Sequence, residues 1–112
     1  MSRTLATGNH AAGHALALAG EANRNARGCC AGAYPITPQS EVAEYLAHRM
    51  QEAGGVFLQG ESEVAVSYMI FGAAACGERV FTTSSSPGIS LMSEGISYIT
   101  AAQCPTVFIN IM

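Results

Sequence analysis

The feature that most constrains the fold is the alternation of short apolar segments with helical patterns. Uninterrupted apolar strands that alternate with helices are typical of a parallel sheet covered on both faces. The sequence therefore predicts an open α/β fold, with a parallel sheet and helices on both of its faces. The strands are predicted at 28–34, 56–59, 79–83 and 106–111, and the helices at about 8–25, 39–53, 64–76 and 89–102.

The third predicted helix, residues 64–76, carries no charged side chain on any face. A helix that is apolar all round must be buried all round. A small α/β domain normally leaves one face of each helix in water, so we expect this helix to pack against another chain or domain. The small residues from Gly72 to Ala75 would permit close approach of the two backbones.

Composition excludes several classes of function. Charged residues are only 12% of the 112, and they consist of five Arg and eight Glu, for a net charge of −3. Scattered arginines on an acidic chain do not form a basic patch, so we expect no nucleic-acid partner. No apolar run is long enough to span a bilayer, and the first ten residues lack the apolar core of a signal peptide. We expect a cytoplasmic protein with no membrane partner.

The cysteines and histidines do not have the spacing of a metal site. Cys29 and Cys30 are adjacent, and no C-x-x-C pair is present, so neither zinc nor an iron–sulfur cluster has its usual ligands. Adjacent residues of a strand point to opposite faces. We therefore expect the four cysteines to be small buried hydrophobic residues, and we expect no metal. His10 and His14 are four residues apart and can share a helix face, but the sequence offers no third ligand.

Ligands of open α/β sheets bind outside the carboxyl ends of the strands. Three predicted loops reach that edge, at 34–37, 60–63 and 83–88. Among their residues, Glu63 is the strongest candidate for chemistry, because it joins a strand loop to an entirely apolar helix and could exchange a proton with a ligand nitrogen. The alternative is that Glu61, Ser62 and Glu63 only occupy a helix N-terminus, where negative charge is favoured.

The other two loops supply hydroxyl groups. Two prolines stiffen the loop around Thr37, which can present its hydroxyl to a ligand, cap a helix that has Pro38 at its first position, or do both. Five hydroxyl residues at 82–86 precede Pro87 and Gly88 and could contact a polar ligand or cap the next helix. No glycine-rich phosphate-binding motif is present.

These loops together resemble a known family. The chain is similar to the N-terminal domain of the α-type subunit of 2-oxoacid:ferredoxin oxidoreductases, which use thiamine diphosphate, and the resemblance is greatest to the branched-chain type, which acts on 3-methyl-2-oxobutanoate. It covers nearly the whole chain. The shared motifs are GN at 8–9, YPITPQSE at 34–41, QGESEVA at 59–65, GAA at 72–74, TSSSPGISLM at 83–92 and EGISY at 94–98.

The resemblance implies a role for particular residues. Glu63 matches the glutamate that hydrogen-bonds N1′ of the cofactor's aminopyrimidine, which makes it the expected catalytic residue. Thr37, with Tyr34 and Pro35, matches the loop that faces the substrate. Ser85, Ser86 and Gly88 match a loop beside the cofactor. The implied domain, residues 1–112, is a thiamine-diphosphate-binding (pyrimidine) domain that is truncated relative to the full-length subunit.

The resemblance also implies partners. Oxidative decarboxylation of a 2-oxoacid gives carbon dioxide and acyl-coenzyme A, and the electrons pass through iron–sulfur clusters on other subunits to ferredoxin. The implied subunits are a diphosphate-binding subunit that holds Mg²⁺, a γ-type subunit and a ferredoxin-like subunit. Branched-chain 2-oxoacids are the favoured substrates and pyruvate the next.

Three departures leave other functions open. The family's subunits are several times longer, this chain ends just before an arginine that contacts substrate in relatives, and residues 20–30 are unusually rich in Asn and Arg. The fragment alone is therefore expected to be inactive. One alternative is a non-catalytic assembly module with the same fold. Another is a stand-alone α/β domain that binds a small ligand.

Overall fold

A computed structural model describes residues 3–112, which form a four-stranded sheet and five helices. The elements in chain order are α1 (Gly8–Glu21), β1 (Cys29–Ala33), α2 (Ser40–Arg49), β2 (Val56–Gln59), α3 (Glu63–Ala75), β3 (Arg79–Ser84), α4 (Ser86–Leu91), α5 (Ser93–Ala101) and β4 (Thr106–Asn110).

All strand pairs are parallel, and the sheet order is β2-β1-β3-β4. The two central strands carry the buried segments, whereas β2 and β4 form the edges and are partly exposed. This arrangement confirms the predicted open α/β fold, because parallel strands require the helical crossovers that the sequence pattern supplies.

Two apolar cores lie on opposite faces of the sheet. One core joins β1 and β3 to α1 and α2, and it contains Leu16, Leu46 and Phe81. The other joins the same strands to α3, α4 and α5, and it contains Val66, Ile70 and Met92. The period-2 alternation of a strand explains this division, since adjacent residues of one strand face opposite layers.

The first helix is shorter than predicted. It begins after Thr7, whose Oγ1 accepts a hydrogen bond from the His10 amide at 3.2 Å, and ends at Glu21 rather than near residue 25. Turns follow, and the Asn23 side-chain amide donates to the Gly28 carbonyl at 2.5 Å. Gly28 has a φ of +83°, a conformation that glycine adopts without steric cost.

The prediction that Thr37 caps α2 was wrong. The helix begins at Ser40, with Gln39 at the capping position, and a turn in which the Gln39 amide donates to the Ile36 carbonyl at 2.8 Å precedes it. The Gln39 side chain is buried in the interior. The helix therefore begins at Ser40, two residues after the predicted first position, Pro38. The helix ends at Arg49 rather than 53, and turns continue to Gly54.

The segment predicted as a loop at 83–88 is mostly regular structure. Strand β3 continues through Ser84, whose carbonyl accepts from the Ile111 amide at 2.9 Å, and α4 begins at Ser86 with Pro87 in its first turn. The single helix predicted at 89–102 is two helices, which meet at Met92.

One face of α3 is buried and the other is exposed. Its buried residues include Val66 and Ile70, while Val64 and Tyr68 are about two-fifths exposed. Within this chain, then, this largely apolar helix has one face in water. A partner that covers this face stays a prediction. Across residues 3–112, no helix is long and apolar enough to cross a membrane.

Candidate functional site

The carboxyl ends of the parallel strands meet at one edge of the sheet. There β1 ends at Ala33, β2 at Gln59 and β3 at Ser84, so the three loops identified in the sequence leave from the same edge. This is the edge at which open α/β sheets bind ligands.

Glu63 is buried at this edge, with only 6% of its surface exposed. It is the first residue of α3, which Ser62 caps by accepting a hydrogen bond from the Ala65 amide at 3.1 Å. This helix end carries the partial positive charge of the backbone dipoles. The structure thus holds an acidic side chain out of water at a helix N-terminus.

Gly88 allows the Glu63 side chain to approach the backbone of α4. A Cβ at position 88 would lie 3.1 Å from Glu63 Oε1 and would collide with Ser84 Oγ. Any side chain at this position would therefore displace one or both groups. The absence of a side chain brings Glu63, Ser84 and Gly88 together, although they come from three different elements.

Four buried side-chain atoms near the end of β3 have no hydrogen-bond partner within the described residues. They are Gln39 Oε1, Thr82 Oγ1, Ser84 Oγ and Ser85 Oγ. Buried polar groups are nearly always paired, so such a concentration is unusual. Thr82 lies deeper along the strand, whereas Ser84 lies at its carboxyl end beside Glu63 and Gly88, and Ser85 follows as the residue that precedes α4. This end of the site is chemically suited to receive a polar ligand.

Gln39 is a residue of the site that the sequence analysis missed. It is fully buried, and its Nε2 donates to Thr83 Oγ1 at 2.6 Å. This bond fastens the loop after β1 to the end of β3. In the sequence, only the position of Gln39 inside the YPITPQSE motif could have indicated this role. Its residue type could not, because a glutamine at the start of a helix is normally exposed.

The predicted substrate-binding and cofactor-binding residues differ in their exposure to solvent. Ser85 is buried at the N-terminal end of α4, Ser86 is exposed, and Tyr34 is half-buried. Thr37 and Pro35 are exposed, and Pro35 lines a shallow cavity of about 260 Å³ on the outer side of α2 and β2 that does not include Glu63.

Cys29 and Cys30 are buried free thiols. Cys29 and Cys30 belong to opposite cores, as predicted for adjacent strand residues. Burial raises the pKa of Cys29, and it raises the pKa of Cys30 to about 11, which keeps both protonated at neutral pH. The prediction of burial was wrong for Cys76, which is exposed in the turn after α3, and only partly right for Cys104, which is half-buried just before β4. Both lie outside the two central strands that the helices cover. No metal-ligand cluster occurs within residues 3–112.

Comparison with known proteins assigns the family. The family described as "Pyruvate flavodoxin/ferredoxin oxidoreductase, thiamine diP-bdg" matches residues 21–112. The chain belongs to this family. Its membership confirms the resemblance found in the sequence motifs, and the description names a domain that binds thiamine diphosphate.

Several curated relatives are similar in sequence. The chain is 48% identical over 86 residues to ketoisovalerate oxidoreductase subunit VorB of Methanothermobacter thermautotrophicus, covering 76% of this chain and 24% of the relative. It is 43% identical over 79 residues to 2-oxoglutarate synthase subunit KorA of Archaeoglobus fulgidus, covering 70% and 23%. The chain thus spans about a quarter of the length of these relatives.

A solved structure shares the fold. The 2-oxoglutarate:ferredoxin oxidoreductase of Magnetococcus marinus, with 2-oxoglutarate, coenzyme A and succinyl-CoA bound, superposes with a TM-score of 0.85 at 33% identity. The match covers 95% of this chain and 17% of that one. The likeness extends over nearly all of the described domain.

Proposed function

We propose that residues 1–112 are the pyrimidine-binding domain of a 2-oxoacid:ferredoxin oxidoreductase subunit, and that Glu63 is its catalytic residue. The observation that carries this proposal is the burial of the Glu63 carboxylate against Gly88, at the ligand-binding edge of a domain from a thiamine-diphosphate-binding family. A carboxylate in this position is suited to a strong hydrogen bond with the N1′ nitrogen of the aminopyrimidine.

When bound, thiamine diphosphate supplies the carbon nucleophile that attacks the 2-oxoacid carbonyl. The chain's own residues hold and activate it. Glu63 shares a proton with N1′, and burial excludes the water that would compete for this bond. Ser85, Ser86 and Gly88 line the cofactor, while Thr37, Tyr34 and Pro35 face the substrate.

Other subunits complete the enzyme in this proposal. A diphosphate-binding subunit holds Mg²⁺ and the diphosphate, a γ-type and a ferredoxin-like subunit complete the assembly, and iron–sulfur clusters carry single electrons to ferredoxin. The products are carbon dioxide and acyl-coenzyme A. We favour a branched-chain 2-oxoacid over pyruvate as substrate, and the 48% identity to a ketoisovalerate oxidoreductase subunit supports this choice. Because some relatives are named for 2-oxoglutarate, that acid is an alternative substrate to include in any assay.

Replacing Glu63 in the assembled complex tests the catalytic role. We expect Glu63→Gln to lower turnover by roughly 10²- to 10⁴-fold, because the amide cannot take part in the proton exchange at N1′. The measurement is substrate-dependent ferredoxin reduction with 3-methyl-2-oxobutanoate, pyruvate and 2-oxoglutarate in parallel. The highest kcat/KM should occur with the branched-chain acid.

Glu61→Gln is the matched control, because Glu61 is in the same loop but exposed. We expect near wild-type turnover from it, and intact assembly of both variants by gel filtration. Wild-type turnover of an assembled Glu63→Gln complex would refute the catalytic role and favour a non-catalytic assembly module.

A further inference from the structure

Ser84 has a hydroxyl that the fold leaves without a partner. The residue is fully buried at the last position of β3, and its Oγ makes no hydrogen bond within the described residues. Leaving a buried hydroxyl unpaired costs stability, and an alanine of nearly the same shape would avoid the cost. The serine therefore requires an explanation outside the packing of this domain.

The carboxylate of Glu63 lies close to this hydroxyl. Ser84 Oγ and Glu63 Oε1 both border the point where Gly88 lacks a side chain. Ser84 faces the same side of the sheet as Val80, whose core includes the α3 residues Val66 and Ile70. A free donor thus stands beside a buried carboxylate that can accept several hydrogen bonds.

We propose that Ser84 is a positioning residue for Glu63: when the aminopyrimidine is bound, the Ser84 hydroxyl, which is unpaired within the described residues of this structure, donates a hydrogen bond to the carboxylate and holds it in the orientation in which it meets the cofactor. The inference rests on the proposed function. Gly88 contributes by keeping clear the space through which the two side chains meet. Because the donor acts on the carboxylate and not on the cofactor itself, its whole effect on catalysis passes through Glu63.

Thr82 provides a matched control on the same strand. Its hydroxyl is also buried and unpartnered within the described residues, and it faces the same side of the sheet. It lies two residues further from the edge, or roughly 6–7 Å along the strand. Thr82→Val and Ser84→Ala each remove one unpaired hydroxyl, but only the second removes one that borders Glu63.

The test uses the assembled complex. We expect Ser84→Ala to lower kcat by roughly ten- to a hundredfold, the usual effect of losing a hydrogen bond to a charged group, with little change in KM for the 2-oxoacid. Thr82→Val should keep wild-type kcat. Neither variant should lower the melting temperature. Unchanged kcat in Ser84→Ala would overturn the inference, as would an equal loss in Thr82→Val.

Two further readouts separate positioning from a general structural role. In the Glu63→Gln background, Ser84→Ala should cause no additional loss, and a full additional loss would overturn the inference. Calorimetric titration of the cofactor-free complex with thiamine diphosphate should show a higher dissociation constant for Ser84→Ala than for the wild type. Adding Ser84→Ala to Glu63→Gln should not raise the dissociation constant further. Unchanged cofactor affinity in the single variant would contradict the inference.

The outcomes distinguish this inference from the proposed function. An inactive Glu63→Gln with a fully active Ser84→Ala would reject the role of Ser84 and keep that of Glu63. An active Glu63→Gln would reject both. Should Ser84→Ala fail to assemble, Ser84→Cys keeps the size and a weaker donor, and we then expect a kcat between wild type and Glu63→Gln; wild-type kcat from it would overturn the inference.

Discussion

The two faces of strand β3 differ in how their polar groups are satisfied. On the face toward α1 and α2, Phe81 packs into an apolar core, and the one polar residue that follows, Thr83, accepts a hydrogen bond from Gln39. On the face toward α3, α4 and α5, Val80 packs into the other core, but Thr82 and Ser84 leave their hydroxyls unpaired within the described residues. Glu63 is buried on this second face.

The difference indicates that the two faces of β3 have different roles. A paired hydroxyl such as that of Thr83 is what packing alone would select, because every unpaired buried group costs free energy. An unpaired group at a functional site persists when the function compensates for its cost, and of these two hydroxyls only that of Ser84 borders Glu63. The first face thus serves mainly to stabilise the fold, and the second bears both stability and the candidate site.

The largest expected effect is from truncation on the apolar face. Phe81→Ala removes a buried aromatic side chain and leaves a cavity, so it should lower the free energy of unfolding by about 3–5 kcal/mol. Urea denaturation followed by circular dichroism measures the loss. A change below about 1 kcal/mol would mean that this face does not bear the stability assigned to it.

Gly88→Ala should have a smaller effect on stability and a large one on the site. The added Cβ would collide with Ser84 Oγ and press on Glu63 Oε1, and overpacking of this kind costs about 1–3 kcal/mol. We also expect it to lower turnover, because it displaces the carboxylate. Unfolding and ferredoxin-reduction assays measure the two effects.

Gly72→Ala is the control for this substitution, because a Cβ there meets nothing within 4 Å. Replacing an exposed helical glycine by alanine should preserve stability or raise it by up to about 1 kcal/mol. Equal stability losses in the two variants would show that the close approach at Gly88 has no special role.

The smallest expected effects concern the adjacent cysteines, Cys29 and Cys30, which are buried on opposite faces of the sheet. At pH 8 a thiol reagent should modify the exposed Cys76 readily, and should reach Cys29 and Cys30 only on unfolding. Mass spectrometry of the peptides measures the order. Rapid modification of Cys30 in the native protein would contradict its burial.

The raised pKa of Cys30 also predicts the sign of a pH effect. Because the folded state keeps this thiol protonated up to about pH 11 and the unfolded state only to about pH 9, stability should fall as pH rises from 9 to 11. Thermal unfolding of Cys30→Ala should show a weaker dependence over that range. An equal slope in both proteins would refute the assignment.

Periodicity predicted the parallel α/β fold correctly, but boundaries depended on tertiary contacts. The strand at 56–59 matches the prediction, because β-branched and aromatic residues between glycines leave little choice. Thr37 and Pro38 carry a strong local start signal, yet α2 begins later, because the burial of Gln39 outweighs a local cap. Local propensities are worth about 1 kcal/mol, which a single buried contact can exceed.

The candidate site, too, could be predicted from the sequence only in part. The motif around Glu63 is sufficient to indicate both the residue and its likeness to a known family, and the burial of that residue agrees with the prediction drawn from its apolar surroundings. The contributions of Gln39 and Ser84 were not predicted. Both depend on contacts between residues more than twenty positions apart, or on which face of β3 a hydroxyl occupies.

The sequence by itself determined the order of strands and helices, their parallel pairing and the edge at which a ligand would bind. These follow from local periodicity and from the geometry of parallel sheets, which are encoded within short stretches of chain. Only the tertiary structure decided which polar groups meet at that edge and which remain unpaired. Such pairings depend on ångström-scale distances between elements, and no local pattern specifies those distances.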